Sequence, residues 1–306
     1  MTMKTQDQLQ FEFGKSFRRC FGVYRKQVRR ARQPHPEAVY DLRIASRRLM
    51  AALEAVHLLL RSNRAEKIRK RIGRIVKELG PLRDAQMQLE LARTELTAGP
   101  CADEFIAKLE KHEKRLRRKA SIEIARIHTD RLQRPLANLN RRVCRPLPDV
   151  DPDLFLFTLN SIIDATFAGV VDRRRKLDLH DHLTFHRLRV RFKTFRYLIE
   201  FLQSTLQIHT DQIEHMKRYQ DTLGKMHDLM VLTAKAELFY KEHGARKPLE
   251  VADLRRLKGR LESMVRVFMA DDAETIYDFW KSVPVRVSAT ESKQPIPSFS
   301  RHICPN

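Results

Sequence analysis

Two short segments hold residues spaced for work on an anion. Tyr40, Arg43 and Arg47 recur at intervals of three and four, and so do His186, Arg189, Lys193 and Arg196. At about 100° per residue the first set spans a helical arc of roughly 60° and the second roughly 80°. In both segments the cations border an apolar stripe instead of opposing it. Leu42, Ala45 and Leu49 flank the first set, and Leu188, Phe192 and Phe195 flank the second. Like charges four residues apart repel by about a few tenths of a kcal/mol per pair, so an anionic partner is expected to offset them. The plainer explanation has these side chains lying along a helical bundle or pairing with Asp41, Asp84, Glu200 and Asp228. That explanation is easier to accept for one helix than for two alike.

The whole chain leans the same way. Its 306 residues carry 60 Lys+Arg against 38 Asp+Glu, a formal charge of +22. Excess positive charge favours capture of polyanions and says nothing of fold. A hydrophobic content of 42% is too high for a disordered chain, and the length is ample for a core. Cys20, Cys101, Cys144 and Cys304 are scattered without zinc-site spacing, which suggests a reduced, cytoplasmic setting. No apolar leader opens the sequence, and no run of about 18 apolar residues stands out. Export and membrane spanning are therefore not expected.

With only 9 Gly and 13 Pro, tight hairpins are scarce and helical periodicity dominates. The pattern predicts helices over residues 8–32 and 37–60, a third through Ile68, Ile72, Ile75 and Leu79 stopping at Gly80-Pro81, and a fourth over 82–97 closed by Gly99-Pro100. A basic amphipathic segment over 103–142 is expected to break near Pro135. Beyond Pro146, Pro148 and Pro152, helices are predicted over 154–171, 183–206, 212–223, 226–242 and 248–269. A short apolar closure follows at 276–280. Residues 283–306 read as a disordered tail.

The halves also resemble each other at an offset of roughly 145 residues. Tyr40-Asp-Leu-Arg-Ile-Ala-Ser-Arg47 aligns with His186-Arg-Leu-Arg-Val-Arg-Phe-Lys193, and Leu79-Gly-Pro-Leu-Arg-Asp84 with Leu223-Gly-Lys-Met-His-Asp228. Gly80 and Gly224 suit helix junctions, and Asp84 and Asp228 are expected to orient a neighbouring cation or cap the helix each begins. The fold expected is all-α. It consists of two helical bundles related by an internal pseudo-twofold duplication, repeats at about 8–145 and 153–282 joined by a Pro-rich linker over 146–152.

An H-x-x-R-x-x-x-[RK] helix paired with an L-G-x-x-x-D junction, present twice in a basic all-helical chain, resembles the CHAD domain, the conserved histidine α-helical domain. The likeness is carried by residues 39–53, 79–91, 185–201 and 223–232 and would cover residues 8–282. The resemblance implies basic residues lining a central cavity, binding of inorganic polyphosphate, and association with polyphosphate granules. Carried over by position, the binding residues are Arg43, Arg47 and Arg48 in the first half and His186, Arg189, Lys193 and Arg196 in the second. Tyr40 stands at the first-half histidine position. A phenol can hydrogen-bond a phosphate oxygen but cannot become a cation, so the halves are expected to bind unequally.

Arg71, Arg74, Lys217 and Arg218 are weaker candidates on neighbouring helices, as are Arg83 and His227, which align with each other. No cofactor, catalytic residue or resident metal is expected, and the chain is read as a binding module, not an enzyme. Nucleic acid is the alternative partner, though the stripes lack interleaved aromatics for base stacking. A metal-dependent phosphohydrolase is the remaining alternative. His182 and His186 are four apart and His180 lies close by, but no glutamate stands between them.

Overall fold

The computed structural model describes residues 6–32, 37–127, 129–145, 152–178, 181–243 and 248–281. Within them the chain forms ten helices: α1 (Gln6–Ala31), α2 (Ala38–Leu60), α3 (Asn63–Glu78), α4 (Gly80–Glu95), α5 (Pro100–Ala125), α6 (Thr129–Val143), α7 (Pro152–Arg175), α8 (His182–Leu206), α9 (Thr210–Glu242) and α10 (Pro248–Asp278). No strand occurs among the described residues.

Apolar spacing explains the packing. α1 buries Phe13, Phe17, Phe21, Tyr24 and Val28 at helical intervals, and this stripe lies against α2 and α8. Phe13 meets Phe155 and Phe201 edge-on, with ring centroids 5.7 and 5.1 Å apart, the geometry that aromatic quadrupoles favour. α2 buries Leu42, Leu49, Leu53 and Val56 and touches α1, α3, α7 and α8. Contact between α2 and α8 sets the two basic stripes side by side. Residues from before and after the Pro-rich segment share one continuous core. A smaller cluster built on Ala92, Phe105, Leu232 and Phe239 fastens α4 and α5 to α9. The segment 146–151 and the tail 282–306 fall outside the described residues.

Helix ends follow local chemistry. Ser62 Oγ accepts from the Ala65 amide at 3.4 Å to cap α3, and the Asp181 carboxylate accepts from the Leu183 amide at 2.9 Å to cap α8. Arg61 and Gln207 take left-handed backbone angles just past α2 and α8, with φ of 46° and 56°.

Three sequence expectations are corrected and one is refined. The helices stop near Gly80-Pro81 and Gly99-Pro100 as expected, α3 at Glu78 and α4 at Glu95, but these residues also begin the next helices: Gly80 is the first residue of α4 and Pro100 the first of α5. Proline is tolerated there because the first-turn amides have no intrahelical partner. Pro135 lies inside α6, and the break falls instead between Ala125 and Thr129. Leu132, Leu136, Leu139 and Val143 bury one face of α6, and that packing outweighs the lost backbone bond. Gly224 interrupts nothing, because α9 is continuous from Thr210 to Glu242. Finally, residues 153–175 do form a helix long and apolar enough to cross a membrane, with mean hydropathy 1.7 over its most apolar window. Phe155, Leu159, Ile163 and Val170 of this helix are buried in the core.

Candidate functional site

The cationic residues of α2 and α8 converge. Lys193 is only partly buried, yet its amine is pushed down to about 7, first by desolvation and then by Arg47, Arg189, Arg196 and Arg43. Two of those four arginines sit on α2 and two on α8. A charge of one sign surrounded by four more is the reverse of an ordinary surface lysine.

Arg43 is 8% exposed and is anchored by the end of a neighbouring helix. Its Nη1 donates to the Val76 carbonyl at 2.9 Å, one of the last-turn carbonyls of α3 that have no intrahelical amide. The negative end of that helix also favours the guanidinium. Gly80 makes room for this contact, since a Cβ there would stand 3.1 Å from Arg43 Nη1. Burial first, then Arg47, pushes the Arg43 guanidinium down to about 10, with Asp84 acting in the opposite sense. It stays charged at neutral pH.

Arg189 is lowered by burial, opposed by Asp228 and Asp84 and reinforced by Arg47. Its Nε is buried without a hydrogen-bond acceptor, and so is Nδ1 of His186 one turn earlier. Buried polar atoms without partners are costly. The His186 ring meets that of His227 of α9 at a tilt of 46°, with centroids 4.7 Å apart. Asp228 is raised, by burial first, and its backbone carbonyl accepts from Gln88 Nε2 at 3.1 Å, tying α4 to α9. Arg83 of α4 lies over the Tyr40 ring, 4.5 Å from its centroid.

Arg48 and Arg196 stand differently. Arg48 Nε donates to Glu200 at 3.1 Å. Arg196, 6% exposed, donates to the other Glu200 oxygen and, through Nε, to Gln220 at 2.8 Å. Glu200 therefore bridges α2 and α8 beside the cluster, and these two guanidinia are largely engaged by protein acceptors. Asp41 pairs with Arg30 at 3.1 Å, away from the stripe.

The structure thus brings together Arg43, Arg47, His186, Arg189 and Lys193, with Tyr40, Arg83 and His227 at the border and Arg48 and Arg196 beside Glu200. Arg71, Arg74, Lys217 and Arg218 are exposed, and Lys217 pairs with Glu214; among the described residues no hydrogen bond or ion pair joins these four to the cluster. Neither Asp84 nor Asp228 caps a helix. Asp84 lies past the start of α4 and Asp228 lies mid-way along α9, where each acts electrostatically on Arg189. His180 and the His182 side chain lie outside the described residues. Two contributions escaped the sequence reading: the Val76 carbonyl and Gln88. The first could have been sought as an unsatisfied helix end near the Arg43 to Leu79 spacing that the second half nearly repeats; the second had no sequence signal.

The model of the CHAD domain matches residues 15–237, well over half of the chain. This protein belongs to the CHAD-domain family. Among solved structures it is similar to the CHAD domain from the plant Ricinus communis, with a TM-score of 0.61 at 18% identity, covering 92% of this chain and 96% of that one. It is also similar to PptA from Streptomyces chartreusis, with a TM-score of 0.59 at 18% identity, covering 91% of this chain and 99% of that one. At such identity the likeness is one of fold. No curated protein matches the sequence. Within this CHAD domain the matched region contains both basic stripes and the helix end that anchors Arg43.

One consequence of the histidine pair is measurable without any ligand. His227 is pushed down to about 3 by burial, with Arg189 and His186 adding to it. Between the ordinary histidine value near 6.5 and 3, the unfolded chain binds a proton that the folded protein refuses. Stability therefore falls as pH drops through that window, by up to about 1.4 kcal/mol per pH unit. His227→Gln is expected to remove one proton's share of that slope in urea unfolding compared at pH 6.5 and 4.5. An unaltered slope would mean that His227 titrates normally.

Proposed function

We propose that this CHAD domain binds inorganic polyphosphate without catalysis, through duplicated halves whose basic helices meet around a shared cavity. The observation that carries the reading is Lys193, whose strongest charged neighbours are four arginines drawn from both α2 and α8. A polymer with about one negative charge per phosphate relieves that repulsion and supplies acceptors for Arg189 Nε and His186 Nδ1. Arg43, Arg47, His186, Arg189 and Lys193 are assigned direct contact. Tyr40, Arg83 and His227 border the path. Arg48 and Arg196, held by Glu200, flank it and shape its field. A cytoplasmic location, on polyphosphate granules, accords with this role.

Nucleic acid shares the phosphate chemistry, so competition is the deciding experiment. Labelled polyphosphate is expected to stay bound against duplex DNA at equal phosphate concentration. Its affinity should also fall steeply with salt, because each neutralised phosphate releases a counterion. Displacement by DNA at parity would favour the nucleic-acid reading.

A further inference from the structure

A second basic face lies on α1. From Phe13 to Arg32 the chain holds eight Lys and Arg and no Asp or Glu. Phe17, Phe21, Tyr24 and Val28 turn inward and are buried. Arg18, Gly22, Arg25, Lys26 and Arg29 are all exposed and fall within a helical arc of roughly 100°. Elsewhere exposed cations find a carboxylate on their own helix, as Arg117 does in Glu113 and Arg126 in Glu123. Among the described residues Arg18, Arg25, Lys26 and Arg29 meet no carboxylate, and Arg25 lies over the Phe21 ring, 6.0 Å from its centroid.

Gly22 stands in the middle of this face and opens it. Glycine inside a helix costs stability relative to alanine, yet packing does not call for it here, because a Cβ at Gly22 would meet no atom within 4 Å. Gly14 of the same helix differs, since a Cβ there would stand 3.1 Å from the backbone of Val143 and Cys144. The bare backbone at Gly22 leaves a recess of about 350 Å³, lined by Gly22, Arg25, Lys26, Arg29 and Arg30. Glycine suits a place where a ligand comes close to the main chain.

We propose that the outer face of α1 is a second polyphosphate-binding surface, separate from the cluster between α2 and α8, with the chain lying in the recess at Gly22. A bare phosphate chain has neither base nor sugar to hold it off the helix. Its oxygens take the forked donors of Arg25 and Arg29 and the point charge of Lys26. A nucleic-acid duplex is wider than the recess and meets the side-chain tips alone. Single strands lack a stacking platform here, because Phe21 and Tyr24 are buried. Two surfaces on one molecule let it hold one long chain twice, with the gain in retention that linked sites bring.

The inference rests on the ligand class proposed above but on different residues, and the test separates the two. Tripolyphosphate would be titrated calorimetrically into the full-length protein at low salt, where two binding events per chain are expected. Gly22→Leu fills the recess and leaves every charge in place, and its Cβ meets no neighbour. It should abolish one event without lowering the melting temperature or the affinity for duplex DNA. Arg25→Gln combined with Arg29→Gln should abolish the same event, and Arg189→Ala the other. A single event in the wild type, lost with Arg189→Ala, would overturn the α1 surface and leave the central site standing. An unaltered titration of Gly22→Leu would reject the recess, whatever charge removal does. An equal loss of DNA affinity in Gly22→Leu would defeat the preference for a thin chain. If the double glutamine variant loses an event and Arg189→Ala loses none, the α1 surface is upheld and the central cluster falls as a polyphosphate site.

Discussion

Replacing Arg189 with alanine is expected to weaken polyphosphate binding by roughly ten- to a hundredfold, the worth of one to two charge-assisted hydrogen bonds at about 1.5–3 kcal/mol each. Arg189 sits where the two halves of the site overlap: it feels Arg47 of α2, Asp84 of α4 and Asp228 of α9. Its Nε also lacks an acceptor within the protein. The variant loses the repulsion from Arg47 but also the cation that offsets the buried Asp228 carboxyl, so circular dichroism should first show the fold intact. Titration by isothermal calorimetry at two salt concentrations separates the contributions. The variant should lose affinity and shed about one unit of the salt slope. Arg71→Ala, on an exposed face of α3, should leave affinity nearly as it was. Equal losses at both positions would show diffuse attraction by overall charge in place of a defined site.

The second large effect is on pH. Lys193 has a folded value near 7, and a bound polyanion favours its charged form. Affinity should therefore be greatest below pH 7 and fall roughly tenfold between pH 6.5 and 8.5, with a proton taken up on binding in that range. The charged groups facing Lys193 are Arg47, Arg189, Arg196 and Arg43, all of which oppose its protonation, and the Asp228 carboxyl, itself raised by burial. Lys193→Arg should flatten the profile. Stability runs the other way. Between 7 and the ordinary lysine value near 10.4 the unfolded chain holds a proton that the folded amine has lost. The free protein therefore gains stability as pH rises through that interval, and below 7 it bears the full penalty of a buried ammonium. Lys193→Met should raise the melting temperature at pH 6.5 while weakening binding. If affinity is flat with pH in the wild type, Lys193 is an ordinary, solvated lysine.

How far the sequence reveals such a site depends on which signals are local. α2 and α8 were legible because their apolar residues recur at helical spacing and their cations repeat in register, so the direction of Arg43 and Arg189 along the core edge could be read from angles alone. Family membership followed from the same residues. What tertiary structure adds is the identity of the acceptors. Glu200 was among the acids weighed as partners, but nothing in one dimension shows that it serves Arg48 and Arg196 together while Asp41 turns to Arg30. The Val76 carbonyl became visible only once α3 was known to end at Glu78. Glycine and proline misled most. Gly80 and Gly224 occupy matching sequence positions, yet the chain turns at the first and continues as helix through the second. Pro81 follows Gly80 and suits a helix start, whereas Lys225 leaves the amide that lets α9 run on. Pro135 shows the opposite case, in which a buried leucine face carries the helix past a residue that locally disfavours it.

The seam where α2 meets α8 is held by Glu200 at one point and burdened by facing cations beside it. Such a joint behaves like masonry laid without mortar, standing but keen to take up what fills it. Since anything that binds only the folded form stabilises it by mass action, the supply of polyanion would set how much heat this protein withstands, and its melting point would serve as a gauge of that supply.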